Sequence, residues 1–258
     1  MTSLVLPAYN PGPVVERTWH EVATFVARRP EPWEVVFVLD GCTDDSSERL
    51  ARLAKDSPNP RFRVVQYTPN QGKGHAVRVG LQAARGQVRL FTDIDLAYTF
   101  DDITRVADAV RAGASVAIAS REHPESQLTL PAGVLGYAYR RHIQSRVFGS
   151  FARMLLPLRQ QDTQAGLKAM TDVVANHVVP ELRCNGFGFD CELLTACARS
   201  NIPVAEVPVH VRYENTASTT GAKATLRMLR ELWSIRRMWK GRRVALPTTE
   251  PVSLPRAA

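Results

Sequence analysis

The amino-acid sequence predicts an α/β domain in which a mainly parallel sheet is flanked by helices. Through the first 120 residues, short and almost continuously apolar segments alternate with segments of helical periodicity. Strands buried on both faces have this unbroken apolar character, and parallel neighbours need a helical crossover between them. Ligands of such sheets bind beyond the carboxyl ends of the strands, so the loops after the strands are the expected place for a site.

The first half of the chain contains five predicted strands and four predicted helices in strict alternation. The strands cover residues 3–7, 34–39, 62–67, 88–92 and 115–120. The helices cover residues 14–29, 46–56, 72–85 and 101–113. The first of these helices ends before Pro30, which cannot continue it.

The second half of the chain is less regular. The expected elements are a helix over 130–156, a strand over 163–171, a helix over 191–200 and a strand over 204–213. A basic amphipathic helix is predicted for 222–243, and the proline-containing tail 244–258 is expected to be disordered. The sequence shows no internal repeat and no linker, so we expect one domain over residues 1–221 that carries this C-terminal helix.

Composition narrows the class of protein. The 258 residues are 45% hydrophobic and 22% charged, which is ordinary for a globular domain. The four cysteines have no CxxC spacing, which favours reduced thiols in a cytosolic protein over disulfides or a zinc site. We expect no signal peptide, because no charged n-region followed by an apolar h-region opens the sequence, and no membrane-spanning helix, because no apolar run reaches about 18 residues.

The net charge of +8 is concentrated in one segment. Residues 222–243 carry eight basic side chains against Glu231 alone, which makes the segment +7 and leaves +1 for the rest. Nucleic-acid binding is not expected, because no RRM, KH or helix-turn-helix context surrounds this segment. We therefore expect the positive charge to serve a function of the helix over 222–243.

The loops after the first four strands carry polar, glycine-rich or acidic sequences. They read PAYNPG, DGCTDDS, PNQGKG and DID. The GKG sequence lets the backbone approach a ligand and offers a cation to a phosphate, although it matches neither a P-loop nor a Rossmann fingerprint. Asp93 and Asp95, two residues apart at a strand end, can both face a hard cation such as Mg²⁺ or Mn²⁺.

The order of the motifs between Ser3 and Tyr213 is more specific than any one of them. They are PAYN, DGxTD, NxGKGxAxxxG, DxDLA, SR, QDTQxGxK, GFxFDxELL and EVPV. This order resembles the family 2 glycosyltransferases of the GT-A fold, and within them the polyprenyl-phosphate hexosyltransferases that use dolichyl phosphate to accept glucose or mannose. The resemblance implies a nucleotide-binding half over about 1–120 and an acceptor half over about 121–221.

The resemblance also implies roles for individual residues. The donor nucleotide would be held by Pro7, Tyr9, Asn10, Asp40 (on the base), Gly72, Lys73, Gly74, Asp93, Ile94 and Asp95. The metal ligands would be Asp93 and Asp95. The acceptor phosphate would be held by Arg121, Arg141, Ser145, Gln164 and Lys168. The catalytic residues would be Asp95, Arg121 and Asp162.

Some positions depart from the family pattern and bear on the donor. Ala97 stands where mannosyl enzymes often have a glutamine that joins the metal shell, which favours UDP-glucose over GDP-mannose. Pro11 and Leu39 replace residues that are usually acidic, and Ala165 replaces a usual cysteine. The donor is therefore expected to be UDP-glucose, with GDP-mannose as the alternative.

The expected reaction is metal-dependent, inverting transfer of a hexose, glucose first, to a polyprenyl phosphate. A phosphate monoester has a second pKa of about 6 and is already largely ionised, so it needs cations rather than a base. Asp162 is the candidate if a base is needed. The rival hypotheses are a family 2 enzyme with a water-soluble acceptor and a nucleotide-sugar-binding protein without catalysis.

Several features have both a functional and a structural interpretation. The 222–243 helix has an apolar arc and a basic arc, which suits a membrane surface, a membrane partner protein or docking on the domain. We expect a cytoplasmic protein that is peripheral on the cytoplasmic face of the membrane. Asp190 and Glu192 fit either a site or the first turn of a helix, and Arg140, Arg141 and Arg146 fit either an acceptor pocket or a solvated helix face.

Overall fold

The computed structural model describes residues 1–56, 59–129, 135–212 and 222–247. The strands are Thr2–Ala8 (β1), Trp33–Asp40 (β2), Phe62–Tyr67 (β3), Val88–Phe91 (β4), Val116–Ser120 (β5), Gln127–Thr129 (β6), Lys168–Thr171 (β7), Val204–Pro208 (β8) and His210–Arg212 (β9). The helices are Val14–Ala27 (α1), Ser46–Asp56 (α2), Lys73–Ala83 (α3), Phe100–Arg111 (α4), Leu135–Leu155 (α5), Asp172–His177 (α6), Phe189–Arg199 (α7) and Ala222–Met238 (α8).

Seven of these strands form one sheet in the order β3-β2-β1-β4-β7-β5-β8. The pairs β1–β2, β1–β4, β2–β3 and β5–β8 are parallel, whereas β7 runs antiparallel to both β4 and β5. The predicted mainly parallel sheet flanked by helices is confirmed. The antiparallel β7 matters for the site, because it brings the chain that precedes it alongside the end of β4.

The second half differs from its predicted elements in three places. The strand expected over 163–171 forms only over Lys168–Thr171, and the segment before it is a loop. The strand expected over 204–213 is split at Val209 into β8 and β9, and β9 pairs with β6 outside the main sheet. The helix α6 and the strand β6 were not predicted. They have six and three residues, which are too few for a hydrophobic periodicity to show.

The core forms two layers, one on each face of the sheet. Along β1, Leu4 and Leu6 pack with α1 and α4 on one face, whereas Val5 packs with α3 and α7 on the other. This alternation is what a strand imposes on successive side chains. Because both faces are covered, the open part of the sheet is its carboxyl edge, where the loops lie.

The C-terminal helix α8 docks on the domain. Leu232 and Ile235 of α8 and Trp239, the residue that follows the helix, are fully buried, and the Trp239 indole Nε1 donates to the Glu192 carboxylate at 3.0 Å. Trp233, which the sequence places on the same apolar arc, is instead 59% exposed. The apolar face of α8 is therefore largely used within the domain.

The segment after α8 also lies against the domain at first. Val244 donates its backbone N–H to the Ser200 hydroxyl at 2.9 Å, and Val244 and Leu246 pack on the core. The helix itself ends at Met238 rather than at residue 243. Residues 244–247 thus differ from the expected disorder, because they cover apolar surface; the rest of the predicted tail lies outside the described residues.

Among the described residues, no helix has both the length and the apolar character needed to cross a membrane.

Replacing Trp239 by alanine tests whether α8 is part of the folded unit. We expect a loss of about 3–5 kcal/mol in the free energy of unfolding, as for other fully buried large aromatics. The matched change Trp233→Ala, on the exposed side of the same helix, should stay within about 0.5 kcal/mol. Urea denaturation measures both, and two equally small losses would contradict the docking of α8.

Candidate functional site

The loops after β1 and β2 are joined by polar contacts. The Asn10 side chain accepts a hydrogen bond from the Thr43 backbone N–H at 2.8 Å and donates to the Thr43 hydroxyl at 3.1 Å. The backbone N–H of Gly12 donates to the Asp44 carboxylate at 2.9 Å. Asn10 has a positive φ of 48°, a conformation that asparagine tolerates better than most residues. These contacts shape one wall at the carboxyl edge of the sheet.

Pro7 and Tyr9 lie in and just after β1. Pro7 is buried within the strand, opposite Val38 of β2. Tyr9 is 54% exposed. An exposed ring at this edge can cover a flat ligand such as a nucleobase. Tyr9 is thus placed to contact a ligand, whereas Pro7 supports the strand beneath it.

Asp40, at the end of β2, holds the loop that follows β3. Its buried carboxylate accepts hydrogen bonds from the Asn70 side chain at 2.9 Å, from the Gln71 N–H at 2.8 Å and from the Gly72 N–H at 2.8 Å. The family resemblance placed this carboxylate on the nucleobase. In the structure its oxygens accept three hydrogen bonds from the 70–72 loop, so Asp40 positions that loop, and its contact with a nucleobase stays a prediction.

The glycines of the GKG sequence serve contacts within the protein. A Cβ on Gly72, whose φ is +100°, would lie 2.5 Å from the Asn185 carbonyl oxygen. A Cβ on Gly74 would lie 2.5 Å from the Cys184 carbonyl oxygen, and the Gly74 N–H donates to Asn185 at 2.8 Å. Both glycines thus admit the loop before α7, and the expected approach of a ligand to this backbone stays a prediction.

Lys73, between those glycines, points at the end of β4. Its Nζ lies 2.6 Å from the Asp93 carboxylate. Burial would lower the pKa of Lys73, but the negative charges of Asp93 and Asp190 outweigh it and raise the pKa above its ordinary value. A lysine that stays charged beside an aspartate can contact a phosphate as well. The structure thus brings the predicted GKG and DID motifs together.

The DID sequence forms a tight turn. The Ile94 carbonyl accepts from the Thr18 hydroxyl at 2.6 Å, and the Leu96 N–H donates to the Asp93 carbonyl at 3.1 Å. Ile94 therefore anchors the turn through its backbone. Burial and the neighbouring charge of Asp93 raise the pKa of Asp95 above its ordinary value. Two carboxylates that destabilise each other's charge form a pair that a cation would relieve.

The donor set at this turn fits a hard divalent cation. Among the described residues, no group of three or more His, Cys, Asp or Glu side chains converges on a metal-binding arrangement. Asp93 and Asp95 would thus supply two carboxylates to such a cation and leave most coordination positions to other oxygens. Mg²⁺ is commonly bound in this way, by one or two carboxylates plus water and substrate phosphates.

A second cluster follows β5, where Arg121 and Asp162 form a two-pronged ion pair. The Asp162 carboxylate accepts from Arg121 Nε at 2.7 Å, from Arg121 Nη2 at 2.9 Å and from the Arg121 backbone N–H at 3.0 Å. Burial would raise the pKa of Asp162, but the hydrogen bonds and charge of Arg121 hold it below its ordinary value. A carboxylate engaged in this way is a poor general base.

An open cavity of about 330 Å³ lies beside this pair. Its lining is almost wholly polar or charged: Glu122, Ser145, Arg146, Gly149, Arg153, Arg159, Gln161, Asp162 and Thr163. Arg121 reaches it through a 3.4 Å hydrogen bond to the Ser145 hydroxyl. The sequence reasoning missed Arg153 and Arg159, although the seven-residue spacing of Arg146 and Arg153 on one helix face was a signal.

Two of the predicted acceptor residues, Lys168 and Gln164, stand apart from this cavity. Lys168 is fully buried, and its Nζ contacts the Asp190 carboxylate at 2.6 Å, so it does not face the cavity. Gln164 is half-buried and donates its backbone N–H to Asp162 at 3.2 Å. Arg141 lies on α5, but its side chain is outside the described residues. The cavity thus gathers Ser145 and Asp162 with three arginines.

The paired acidic residues of α7 have structural partners. Asp190 holds Lys168, and the Glu192 carboxylate accepts from the backbone N–H groups of Arg183 and Cys184 as well as from Trp239. Glu192 therefore fastens the loop before α7 to α8. Its burial and full set of donors favour the structural interpretation.

Comparisons with known proteins identify relatives of the chain. The model of Glycosyl transferase family 2 matches residues 3–170. The Dolichyl-phosphate beta-glucosyltransferase of Saccharomyces cerevisiae is 26% identical over 250 residues, which cover 91% of this chain and 73% of that protein. Glycosyltransferase AglD of Haloferax volcanii is 30% identical over 210 residues, which cover 80% of this chain and 32% of that protein.

A solved structure supports the fold. Glucosyl-3-phosphoglycerate synthase from Mycobacterium tuberculosis, in complex with uridine diphosphate, matches with a TM-score of 0.62 at 18% identity and covers 92% of this chain and 80% of that one. A likeness at this identity establishes the arrangement of the strands and helices. The predicted GT-A fold is confirmed.

Replacing Asp162 by asparagine tests the arginine clamp. We expect a loss of about 3 kcal/mol at pH 7, because the change leaves a half-buried guanidinium without its counter-charge. The folded pKa of Asp162 is depressed, so its stabilisation is present above the unfolded pKa of about 3.9 and is lost as the pH falls through the folded value. The gap between wild type and Asp162→Asn should therefore be constant near neutrality and shrink below about pH 4.

Urea denaturation at several pH values measures this gap. The control is Asp108→Asn, which breaks an exposed pair with Arg111 and should change stability much less. A gap that widens on acidification would be inconsistent with the clamp.

Proposed function

This chain belongs to glycosyltransferase family 2, and we propose that it transfers glucose from UDP-glucose to the phosphate of a polyprenyl lipid. The observation that carries the proposal is the pairing of two clusters at one edge of the sheet. One is the Lys73–Asp93–Asp95 cluster, which suits a diphosphate and a cation. The other is the arginine-lined cavity beside Arg121 and Asp162, which suits an anionic acceptor.

Relatives support the choice of sugar and acceptor. Proteins named dolichyl-phosphate beta-glucosyltransferases from yeast and from Dictyostelium discoideum each align with 91% of this chain. Ala97, where a glutamine is frequent in mannosyl enzymes, agrees with this glucosyl assignment. GDP-mannose remains the alternative donor.

On the donor side, Tyr9 and Asn10 would line the nucleotide pocket, above the loop that Asp40 holds in place. Asp93 and Asp95 would hold Mg²⁺ or Mn²⁺, which supplies charge neutralisation of the leaving diphosphate. Lys73, kept protonated by its acidic neighbours, would contact a diphosphate oxygen as the bond to glucose breaks.

On the acceptor side, the nucleophile is the phosphate itself. Its oxygens are ionised near neutral pH, because the second pKa of a phosphate monoester is about 6. Arg121 and Ser145, together with Arg146, Arg153 and Arg159 around the cavity, would orient it. Asp162 is occupied by Arg121 and is not assigned as a base. Direct displacement at the anomeric carbon then inverts its configuration and gives a β-linked product.

The lipid tail requires a membrane nearby, and α8 is the proposed contact. Its outward side carries the exposed residues Arg230, Trp233, Arg236 and Arg237, and the exposed Lys240 follows just after its end. Basic side chains with a tryptophan are typical of helices that lie on anionic membranes. We therefore propose peripheral attachment on the cytoplasmic face, with a membrane partner protein as the alternative.

The neighbouring helix α5 extends this surface. Val147 is 65% exposed and Met154 is 70% exposed, and Arg236 of α8 donates to the Leu155 carbonyl at 3.3 Å. The cavity residues Ser145, Arg146 and Arg153 lie on the same helix. A lipid held at this surface would bring its phosphate to the cavity.

The reaction is tested by incubating the purified chain with radiolabelled UDP-glucose, Mn²⁺ and a short-chain polyprenyl phosphate. We expect a labelled product that extracts into organic solvent. Asp95→Asn should lower kcat about 100-fold or more, because loss of a metal ligand removes several kcal/mol of transition-state stabilisation. The control Asp101→Asn changes an exposed carboxylate in the first turn of α4 and should leave kcat within twofold, about 0.4 kcal/mol.

Product that stays in the aqueous phase with a phosphorylated small acceptor, and none with the lipid, would favour the water-soluble alternative. Faster transfer from GDP-mannose would overturn the donor assignment.

Membrane attachment is tested by co-sedimentation with vesicles of phosphatidylcholine and phosphatidylglycerol. Reversing two charges, in Arg237→Glu/Lys240→Glu, should weaken binding about tenfold or more, since each basic residue near an anionic surface contributes about 1 kcal/mol. The control Arg28→Glu/Lys55→Glu makes the same change in net charge on an exposed residue that follows α1 and an exposed residue of α2. Equal losses in both variants, or no vesicle binding at low salt, would speak against α8 as the contact.

A further inference from the structure

Lys168 forms a fully buried ion pair that the proposed reaction does not use. Its side chain is 0% exposed, that of Asp190 is 8% exposed, and the two lie 2.6 Å apart. Burying two charges is costly, and apolar side chains of similar volume often give equal stability. The presence of the Lys168–Asp190 pair next to the candidate site therefore needs an explanation other than packing.

A further hydrogen bond ties Lys168 to the loop before β7. Its Nζ donates to the Ala165 carbonyl oxygen at 2.6 Å. Lys168, three residues after Ala165, thus fixes this loop to the sheet. Since Asp190 accepts from the same Nζ, α7 and β7 both take part in fixing the loop.

The pinned loop lies against Asp93. In the antiparallel pair β4–β7, Phe91 is opposite Lys168, so two steps further along β4 bring Asp93 opposite Gly166. A Cβ on Gly166 would lie 2.4 Å from one carboxylate oxygen of Asp93. That oxygen rests on the backbone at Gly166, where only glycine leaves room for it.

The other oxygen of Asp93 contacts Lys73 at 2.6 Å. The carboxylate is therefore held between Lys73 on one side and Gly166 on the other. The buried Lys168–Asp190 pair therefore acts on Asp93 through the Ala165–Gly166 segment.

We propose that Lys168 and Asp190 are positioning residues for Asp93: their ion pair fixes the Ala165–Gly166 segment that sets where the Asp93 carboxylate meets the cation and the diphosphate. This inference rests on the proposed function. It assigns Lys168 a place behind the donor diphosphate, in contrast to the acceptor-phosphate role that the family resemblance implied.

The test compares neutral replacements of two buried cations. Lys168→Met removes the proposed positioning contact. Arg89→Met is the matched control: Arg89 is a buried cation at the opposite end of β4, where it donates to the carbonyls of Leu81 and Gly86. Both variants lose a buried charge with its hydrogen bonds, so general destabilisation should be similar.

Isothermal titration with UDP in the presence of Mn²⁺ gives the decisive readout, with uridine as a probe that lacks the diphosphate. We expect Lys168→Met to weaken Mn²⁺–UDP binding about tenfold or more, equivalent to at least 1.4 kcal/mol, and to leave uridine binding unchanged. Arg89→Met should alter neither affinity by more than about twofold, or 0.4 kcal/mol.

Two further variants separate positioning from folding. In Lys168→Met/Asp190→Leu the charges are removed together, so stability should recover while Mn²⁺–UDP binding stays weak. Gly166→Ala leaves the ion pair intact and displaces Asp93 directly, and it should reproduce the loss of Mn²⁺–UDP affinity.

Recovery of Mn²⁺–UDP affinity in the stabilised double variant would overturn the positioning role, as would equal losses of Mn²⁺–UDP and uridine binding in Lys168→Met. Failure of the wild-type chain to bind Mn²⁺–UDP would be a different result. It would overturn the proposed function, and the positioning role with it.

Discussion

The contact between Lys73 and Asp93 joins the parts of the chain on which the donor side depends. It links the loop after β3 to the turn after β4, and hydrogen bonds from other parts of the domain fix the loop that carries Lys73. Asp40 fastens the loop that leads to Lys73, and Gly74 donates to Asn185 in the loop before α7. That loop is itself tied to α8, since the Gly188 N–H donates to Glu231 at 2.8 Å. The helix proposed to meet the membrane is thereby connected to the donor site through two hydrogen-bonded loops.

The acceptor side is built on a different principle. Arg121 and Asp162 neutralise each other across a two-pronged contact, Arg146 lies 3.9 Å from Glu122, and the surplus positive charge at the cavity belongs to Arg153 and Arg159. An arginine-rich pocket with its buried aspartate already engaged suits a substrate that arrives ionised. A lipid phosphate has that property, whereas an alcohol acceptor would need a base to take its proton. The chemistry of the acceptor is therefore reflected in how Asp162 is bonded.

Sequence reasoning succeeded where a local pattern decides the outcome. The alternation of apolar and helical segments predicted the sheet. The DID turn and the GKG loop lie in contact because both follow the carboxyl ends of strands in that sheet. The sequence did not reveal the buried partner of Lys168 or the loop that packs on the glycines, because Asp190 and Asn185 are more than twenty residues away in sequence. Arg153 and Arg159 were missed because a helix and the loop after it form the cavity only after folding. Trp233 lies on the predicted apolar arc but is exposed, whereas Leu232, Ile235 and Trp239 of the same arc are buried.

The central claim is that an already ionised phosphate, rather than a deprotonated alcohol, attacks the sugar. The most direct measurement compares polyprenyl phosphate with the matching polyprenol as acceptors for UDP-glucose, at equal lipid concentration and near neutral pH. Proton NMR of any product reports the configuration at the anomeric carbon. The account predicts glucosyl transfer to the phosphate alone, with a β-linked product. Comparable transfer to the free alcohol, or an α-linked product from the phosphate, would contradict it.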